Sequence, residues 1–294
     1  MIKKLKLILI IIFCVYQNSA VSKTTDKNDF NPKYLSNYLS ALILKNNQNS
    51  DDSIKYFNLS KTLISNHQEY FKNYVNTLVV NGEVKKSINI IKKNINNDNS
   101  KFFEASLLLL IDGFKKKEFK ENIELLYELK KYQDQSNYHY IIYEVLKSYN
   151  DLFLTKEINL NEDNFGKLSL INEVFQYCYL NEPDTNSKFI NLINSEGGDY
   201  TRYLFFYFNH LIKKKKFEKA ISISSSINEL SSNLLIQQAK QWIDNSNFNK
   251  FNDFFSCENE SDILGEFFFL ISNFLATDEN FEKSNFYSNI SNYL

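Results

Sequence analysis

The chain has 294 residues, and its 34 Lys and Arg almost balance its 35 Asp and Glu, for a net charge of −1. A balance so close to neutral carries no electrostatic footprint for nucleic acid, so a nucleic-acid partner is set aside. Lys, Asn, Ile, Phe and Tyr are abundant and Arg202 is the only arginine. An AT-rich genome produces that bias by itself, so the aromatic and asparagine richness is discounted as a functional signal.

Residues 1–22 have the layout of a secretory signal. Lys3, Lys4 and Lys6 precede the apolar run Leu7 to Tyr16, and Ala20-Val21-Ser22 offers small residues for cleavage. The run is shorter than the roughly 20 residues of a spanning helix, which makes an uncleaved membrane anchor the weaker reading. Cys14 lies inside the apolar run behind Phe13, where a lipidation site needs a small residue. The expectation is export to the periplasm or cell envelope, a polar leader over 23–31, and one helical-repeat domain over 32–294.

From Pro32 onward apolar residues recur at helical spacing and no segment sustains strand alternation. The periodicity predicts helices over 34–45 and 53–65, then 70–80 and 84–95 with Gly82 at the turn. Helices over 102–111 and 119–131 follow, with Gly113 taken as the turn between them. Two long helices, 138–153 and 165–180, flank an irregular polar loop. Then come 184–193, a Gly197-Gly198 turn, 201–212, 217–230, 233–244, 248–255, 262–275 and 281–294, six or seven hairpins in all.

Ser53, Ile54 and Phe57 return one tetratricopeptide length later as Ser87, Ile88 and Ile91. Phe217-Glu-Lys-Ala-Ile, Phe281-Glu-Lys-Ser-Asn-Phe and Phe119-Lys-Glu-Asn122 repeat the pattern of an aromatic, charges and a small residue. The small residue has a physical role: two helices approach closely only where no bulky side chain holds them apart. The fold expected is all-α, a right-handed α-solenoid of antiparallel hairpins. Ile290, Tyr293 and Leu294 close the chain without a polar cap, which suggests either further repeats beyond Leu294, the favoured reading, or a face that docks on a partner or on a second copy.

Thr201-Arg-Tyr-Leu-Phe-Phe-Tyr-Phe-Asn-His-Leu-Ile, Phe217-Glu-Lys-Ala-Ile and Leu234-Leu-Ile-Gln-Gln-Ala-Lys-Gln-Trp-Ile-Asp resemble exported tetratricopeptide-repeat proteins of alphaproteobacteria. Asn249-Lys-Phe-Asn-Asp-Phe-Phe-Ser-Cys257 and Asp262-Ile-Leu-Gly-Glu-Phe-Phe-Phe-Leu-Ile-Ser-Asn are similar to the same group. These are packing motifs, so the resemblance implies a fold and a style of interaction, not a reaction. The chain departs from the repeat consensus: the tryptophan that often starts a repeat is absent, Trp242 lies elsewhere, and Ala41 and Val75 replace the first-helix glycine.

No nucleophile elbow, zinc-protease helix or phosphate-binding glycine loop is present. His67, His139 and His210 fall singly on separate helices, Cys178 and Cys257 lie far apart, and no metal site, cofactor or catalytic residue is assigned. In a solenoid distant repeats do not touch, so two buried thiols are expected in preference to a disulfide. Asp51-Asp52 is read as capping. The runs Lys115–Lys117 and Lys213–Lys216 are read as complements to helix C-termini, with a basic edge toward anionic lipid or glycan as the alternative.

What remains is a concave groove lined by first helices. Tyr38, Lys45, Lys72, Asn76, Arg202, Asn209 and Lys213 are its candidate residues, a ladder suited to the backbone of an extended peptide. The function expected is that of a non-enzymatic scaffold binding a protein or peptide in the cell envelope. The alternative is the non-catalytic repeat arm of an envelope or glycan-processing enzyme or assembly.

Overall fold

The computed structural model describes residues 31–195, 201–227, 234–252 and 254–294. The expected signal segment, most of the leader, the Gly197-Gly198 turn and the end of the helix expected over 217–230 lie outside them. The described residues are all-α. Fourteen α-helices run in order as α1 Pro32–Asn46, α2 Ser50–Leu59, α3 Gln68–Val80, α4 Val84–Lys93, α5 Phe103–Lys115, α6 Asn122–Lys130 and α7 Asn137–Thr155. They continue as α8 Lys167–Leu180, α9 Thr185–Ile193, α10 Thr201–Lys213, α11 Phe217–Ser225, α12 Leu234–Asp244, α13 Glu260–Thr277 and α14 Phe281–Tyr293. None of the described helices is long and apolar enough to cross a membrane.

The helix starts are written locally. Asn31 caps α1, its Oδ1 accepting from the Lys33 N–H at 3.0 Å, with Pro32 as first helical residue. At α3 the cap is a histidine: His67 Nδ1 accepts the Tyr70 N–H at 3.0 Å. Seven of the fourteen described helix ends obey one rule. Gln48, Gly82, Lys117, Asn181, Lys215, Ser246 and Glu279 all have a left-handed backbone, with φ between 54° and 78°. In each case the next residue donates its N–H to a carbonyl five residues back, as Asn49 does to Leu44, Glu83 to Leu78, Lys117's neighbour Glu118 to Gly113, and Asn280 to Leu275. This is the helix-terminating turn that satisfies orphan carbonyls. Only Gly82 occupies it with the residue that adopts the left-handed region without steric cost.

Counting from that turn puts equivalent residues in register. Five positions on, Ser53, Ser87, Asn122, Ala220, Phe251 and Ser284 are buried, while Asn186 is half-buried. Seven positions back, Ala41, Val75, Leu110, Val174, Phe208, Ala239 and Ser272 are buried as well. The small residues thus sit where the second helix of a pair meets the first. Ser53 Oγ donates to the Ala41 carbonyl at 2.8 Å, and Ser272 Oγ donates to the Ser284 carbonyl at 2.9 Å. In the third pair the close approach is made by Gly113, which lies inside α5 and not at a turn as its residue type suggested. A Cβ there would stand 2.0 Å from Asn122 Oδ1.

Consecutive helices pack from α1 through α7 and from α8 through α12, and α1 with α3, α3 with α5 and α10 with α12 pack across one helix. Aromatic residues fill the spaces between them: Phe57, Tyr70 and Tyr74 are fully buried and in mutual ring contact. Each such side chain contributes roughly 1.5–3 kcal/mol by leaving water. The helix expected over 248–255 is reduced to a single 3-10 turn, Phe248–Phe251, with Phe251 buried against Phe205 and Trp242.

The last hairpin departs from a simple succession. α13, with Ile263, Leu264, Phe267, Phe268 and Leu275 buried, runs among helices from both halves of the chain. Its Glu260 meets Lys117 at 2.9 Å and the Tyr179 hydroxyl at 2.8 Å, and its Phe274 ring meets Tyr138 edge to face. α14 then packs on α3 and α4. Ile290 is completely buried, Asn289 Nδ2 donates to the Val80 carbonyl at 2.9 Å, and the Tyr293 hydroxyl donates to Asp112 Oδ1 at 3.2 Å. The apolar residues of the final helix therefore meet the chain's own first helices.

Candidate functional site

The groove candidates separate into two groups. Lys45 on α1, Lys72 and Asn76 on α3 converge on a polar cavity of about 300 Å³, whose other walls come from α5, α7 and the α13–α14 hairpin. Lys45 Nζ lies 2.8 Å from Asn73 Oδ1 and 2.9 Å from Glu282 Oε1 on α14. Lys72 Nζ lies 3.5 Å from Glu104 Oε1 on α5. The second carboxylate oxygen of Glu104 and the side-chain oxygen of Asn76 are buried without a hydrogen-bond partner among the described residues. His139 completes the cavity from α7, its ring stacked on Phe103 with centroids 3.6 Å apart. Burial holds the His139 pKa below the usual histidine range, and Nδ1 bonds the Tyr132 carbonyl at 3.3 Å, so the neutral ring offers Nε2 as an acceptor.

The other candidates have different surroundings. Tyr38, expected on an exposed face, is buried among Phe57, His67 and Tyr70, because its position on α1 turns it toward α2 and α3. Asn209 is likewise buried and not exposed. Its Nδ2 donates to the carbonyls of Phe251 at 2.9 Å and Phe255 at 2.7 Å, tying down the irregular segment before α13. Arg202 is held by Glu266 of α13 through Nε at 2.8 Å and Nη2 at 2.7 Å, with its guanidinium 4.3 Å from the Phe269 ring. Burial pushes the Glu266 carboxyl above the usual range, against the stabilising bonds from Arg202 and Tyr203. Lys213 borders a small crevice beside His210 and Cys257.

The lysine runs are also engaged within the chain. Lys115 donates to the Tyr293 carbonyl, Lys116 Nζ lies 2.5 Å from Asp112 Oδ2, which Lys92 also contacts, and Lys214 pairs with Glu258 at 2.6 Å. Burial works against the charge of Asp112, but the bonds from Lys116 and Lys92 prevail and hold its carboxyl below the usual range.

A second cavity, of about 570 Å³, is walled by apolar side chains of α7, α8 and α13, among them Ile141, Leu168, Ile171, Leu270 and Phe274. Tyr138 borders both cavities and donates to Asp278 at 2.6 Å where they meet.

The most consequential departure from expectation concerns the cysteines. Cys178 on α8 and Cys257 in the segment before α13 form a disulfide across 79 residues, with Cα atoms 5.7 Å apart. His210 on α10 stands beside it, Nδ1 3.3 Å from Cys178 Sγ. Two separate buried thiols were the expectation, since distant repeats should not touch. Phe251 and Phe255 overturn it by returning to α10, which lays Cys257 against α8. Burial, followed by the neighbouring lysines, lowers the His210 pKa to about 4, so its ring is neutral.

Glu104, Asn73, His139 and Glu282 were not recognised in the sequence as site residues. Asn73 and Glu104 carry a faint signal, lying on first helices near the candidates, whereas His139 and Glu282 carry none. Compared with family models, curated proteins and solved structures, the chain matches none.

Proposed function

We propose that the protein is a non-enzymatic, exported helical-repeat scaffold, a tetratricopeptide-like right-handed superhelix that holds a polypeptide segment of a partner along its concave side. The single observation that carries this reading is the cavity where Lys45, Lys72 and Asn76 converge, because its far wall is already a polypeptide segment, the chain's own α14. Lys45 already fixes that helix through Glu282, and Lys72 and Asn76 beside it offer ammonium and amide groups with the chemistry to fix another segment. Regular turns separated by 34 residues between Gln48 and Gly82, and again by 34 between Asn181 and Lys215, support the repeat architecture. The adjoining apolar cavity favours an amphipathic segment, with apolar side chains beside Leu270 and polar ones toward Lys72.

The test is capture of envelope proteins on the immobilised chain, compared with Lys72→Glu/Asn76→Asp and with Leu270→Glu. One stoichiometric partner should be retained by the parent chain and lost at least tenfold in both variants, with far-ultraviolet circular dichroism unchanged. Equal capture by all three proteins removes the groove assignment.

A further inference from the structure

Cys178, His210 and Cys257 come from three different elements, yet their two Sγ atoms and an imidazole nitrogen lie within 4.8 Å of one another, and all three residues are buried. The disulfide accounts for two of them. It does not account for the third, because a disulfide sulfur is a weak acceptor that requires no imidazole, whereas His210 aims Nδ1 at Cys178 Sγ from 3.3 Å. Two thiolates and a neutral imidazole form a ligand set for zinc, with Zn–S bonds of about 2.3 Å and Zn–N bonds of about 2.0–2.1 Å. Tetrahedral geometry with those bonds sets sulfur and nitrogen roughly 3.5 Å apart, close to the 3.3 Å observed. A crevice of about 10 Å³ borders the cluster, His210 and Cys257 being among its lining residues, with room for about one water.

We propose that, when Cys178 and Cys257 are reduced, this cluster binds one zinc-like divalent cation through Cys178 Sγ, Cys257 Sγ and His210 Nδ1, with water as fourth ligand. The charge balance favours it: two thiolates cancel a divalent cation, so the buried site is neutral where an unbalanced charge is costly. The conversion is balanced as well. A dithiol reductant delivers two electrons and two protons to the sulfur–sulfur bond and becomes a cyclic disulfide; the incoming cation then displaces both thiol protons to solvent while His210 gives a lone pair. One cluster is thereby a disulfide in an oxidising compartment and a metal site in a reducing one.

The experiment is anaerobic titration of the reduced, desalted full chain with Co²⁺, read by absorption. A sulfur-to-cobalt charge-transfer band and visible ligand-field bands saturating at one equivalent, displaced by Zn²⁺, are expected; the oxidised chain should show neither. His210→Gln should weaken Co²⁺ binding at least tenfold and alter the ligand-field bands while keeping the charge-transfer band. Absence of the bands in reduced chain that circular dichroism shows to be helical overturns the proposal without recourse to any variant. Bands unchanged in His210→Gln overturn the assigned ligand set.

Discussion

Arg202 and Glu266 show what one residue pair decides. Sequence alone places Arg202 on a groove, at a position of a first helix that the register marks as exposed. The structure instead sets its guanidinium on a carboxylate whose side chain is 3 % exposed, while Arg202 itself remains 41 % exposed. Removing the arginine strands the carboxylate in a poorly solvated place. Arg202→Met should therefore cost about 3 kcal/mol at neutral pH, the low end for breaking a buried pair because water reaches the arginine side. The pH dependence follows from the raised Glu266 carboxyl. A raised folded-state pKa gives stability that is present below the ordinary glutamate range and lost as pH rises through the folded value. The deficit of Arg202→Met should shrink toward acid pH, as protonation neutralises Glu266, and Glu266→Gln should flatten the trend. Urea denaturation midpoints across pH 4–8 check both. Asp112 contributes with the opposite sign: its depressed carboxyl stabilises above the ordinary aspartate range and loses that contribution on acidification.

At the scale of elements, the hairpin junctions were partly legible. Ser53 and Ser87 stood out in sequence by their spacing and do sit at close helix contacts, because a small residue is the only kind that fits there. Gly82 announced its turn. The lysine runs marked the helix ends at Lys117 and Lys215 without marking the left-handed residue, and at Gln48, Ser246 and Glu279 an ordinary residue in that conformation carries no compositional sign of it. Gly113 was misplaced for the converse reason: its glycine serves a close approach inside α5, not a helix end. That contact is testable. Asn122 is buried with neither side-chain polar atom hydrogen-bonded, so it cannot swing aside into water when Gly113 gains a methyl. Gly113→Ala should destabilise by about 1–3 kcal/mol through overpacking. Asn122→Ala should be close to neutral, since it removes unsatisfied polar groups, and in the double variant it should restore most of the loss. A double-mutant cycle on thermal or urea unfolding measures the coupling; additive losses would sever the proposed contact.

At the scale of the described residues together, α14 packs back on α3 and α4. α14 supplies Glu282 to Lys45, Asn289 to the Val80 carbonyl and Tyr293 to Asp112, so the cavity beside Lys45 is closed by α14. The Cys178–Cys257 link joins α8 to the segment leading into α13 and closes a loop of 79 residues. Breaking it frees that loop in the unfolded chain. Reduction in the presence of a chelator, or the Cys178→Ser/Cys257→Ser pair, should cost about 2–5 kcal/mol, read as a lower urea midpoint for reduced than for oxidised protein. Equal midpoints would mean that the link is absent in solution.

The sequence by itself determined most of the helices and the register of Ser53 and Ser87, because these depend on contacts within about 35 residues of chain. Periodicity placed α3, α8 and α10 to within two or three residues of their ends. Only the tertiary structure decided which polar residues face a common space. Tyr38 and Asn209 share helical faces with Lys45 and Lys213, yet packing buries the first pair, a distinction made by neighbours and invisible to spacing. Likewise Cys178, His210 and Cys257 are three isolated residues in sequence. They become one cluster because an irregular segment turns back on α10, a path set by side-chain packing around Phe251 and Phe255 and by the Asn209 amide, with no local signal to announce it.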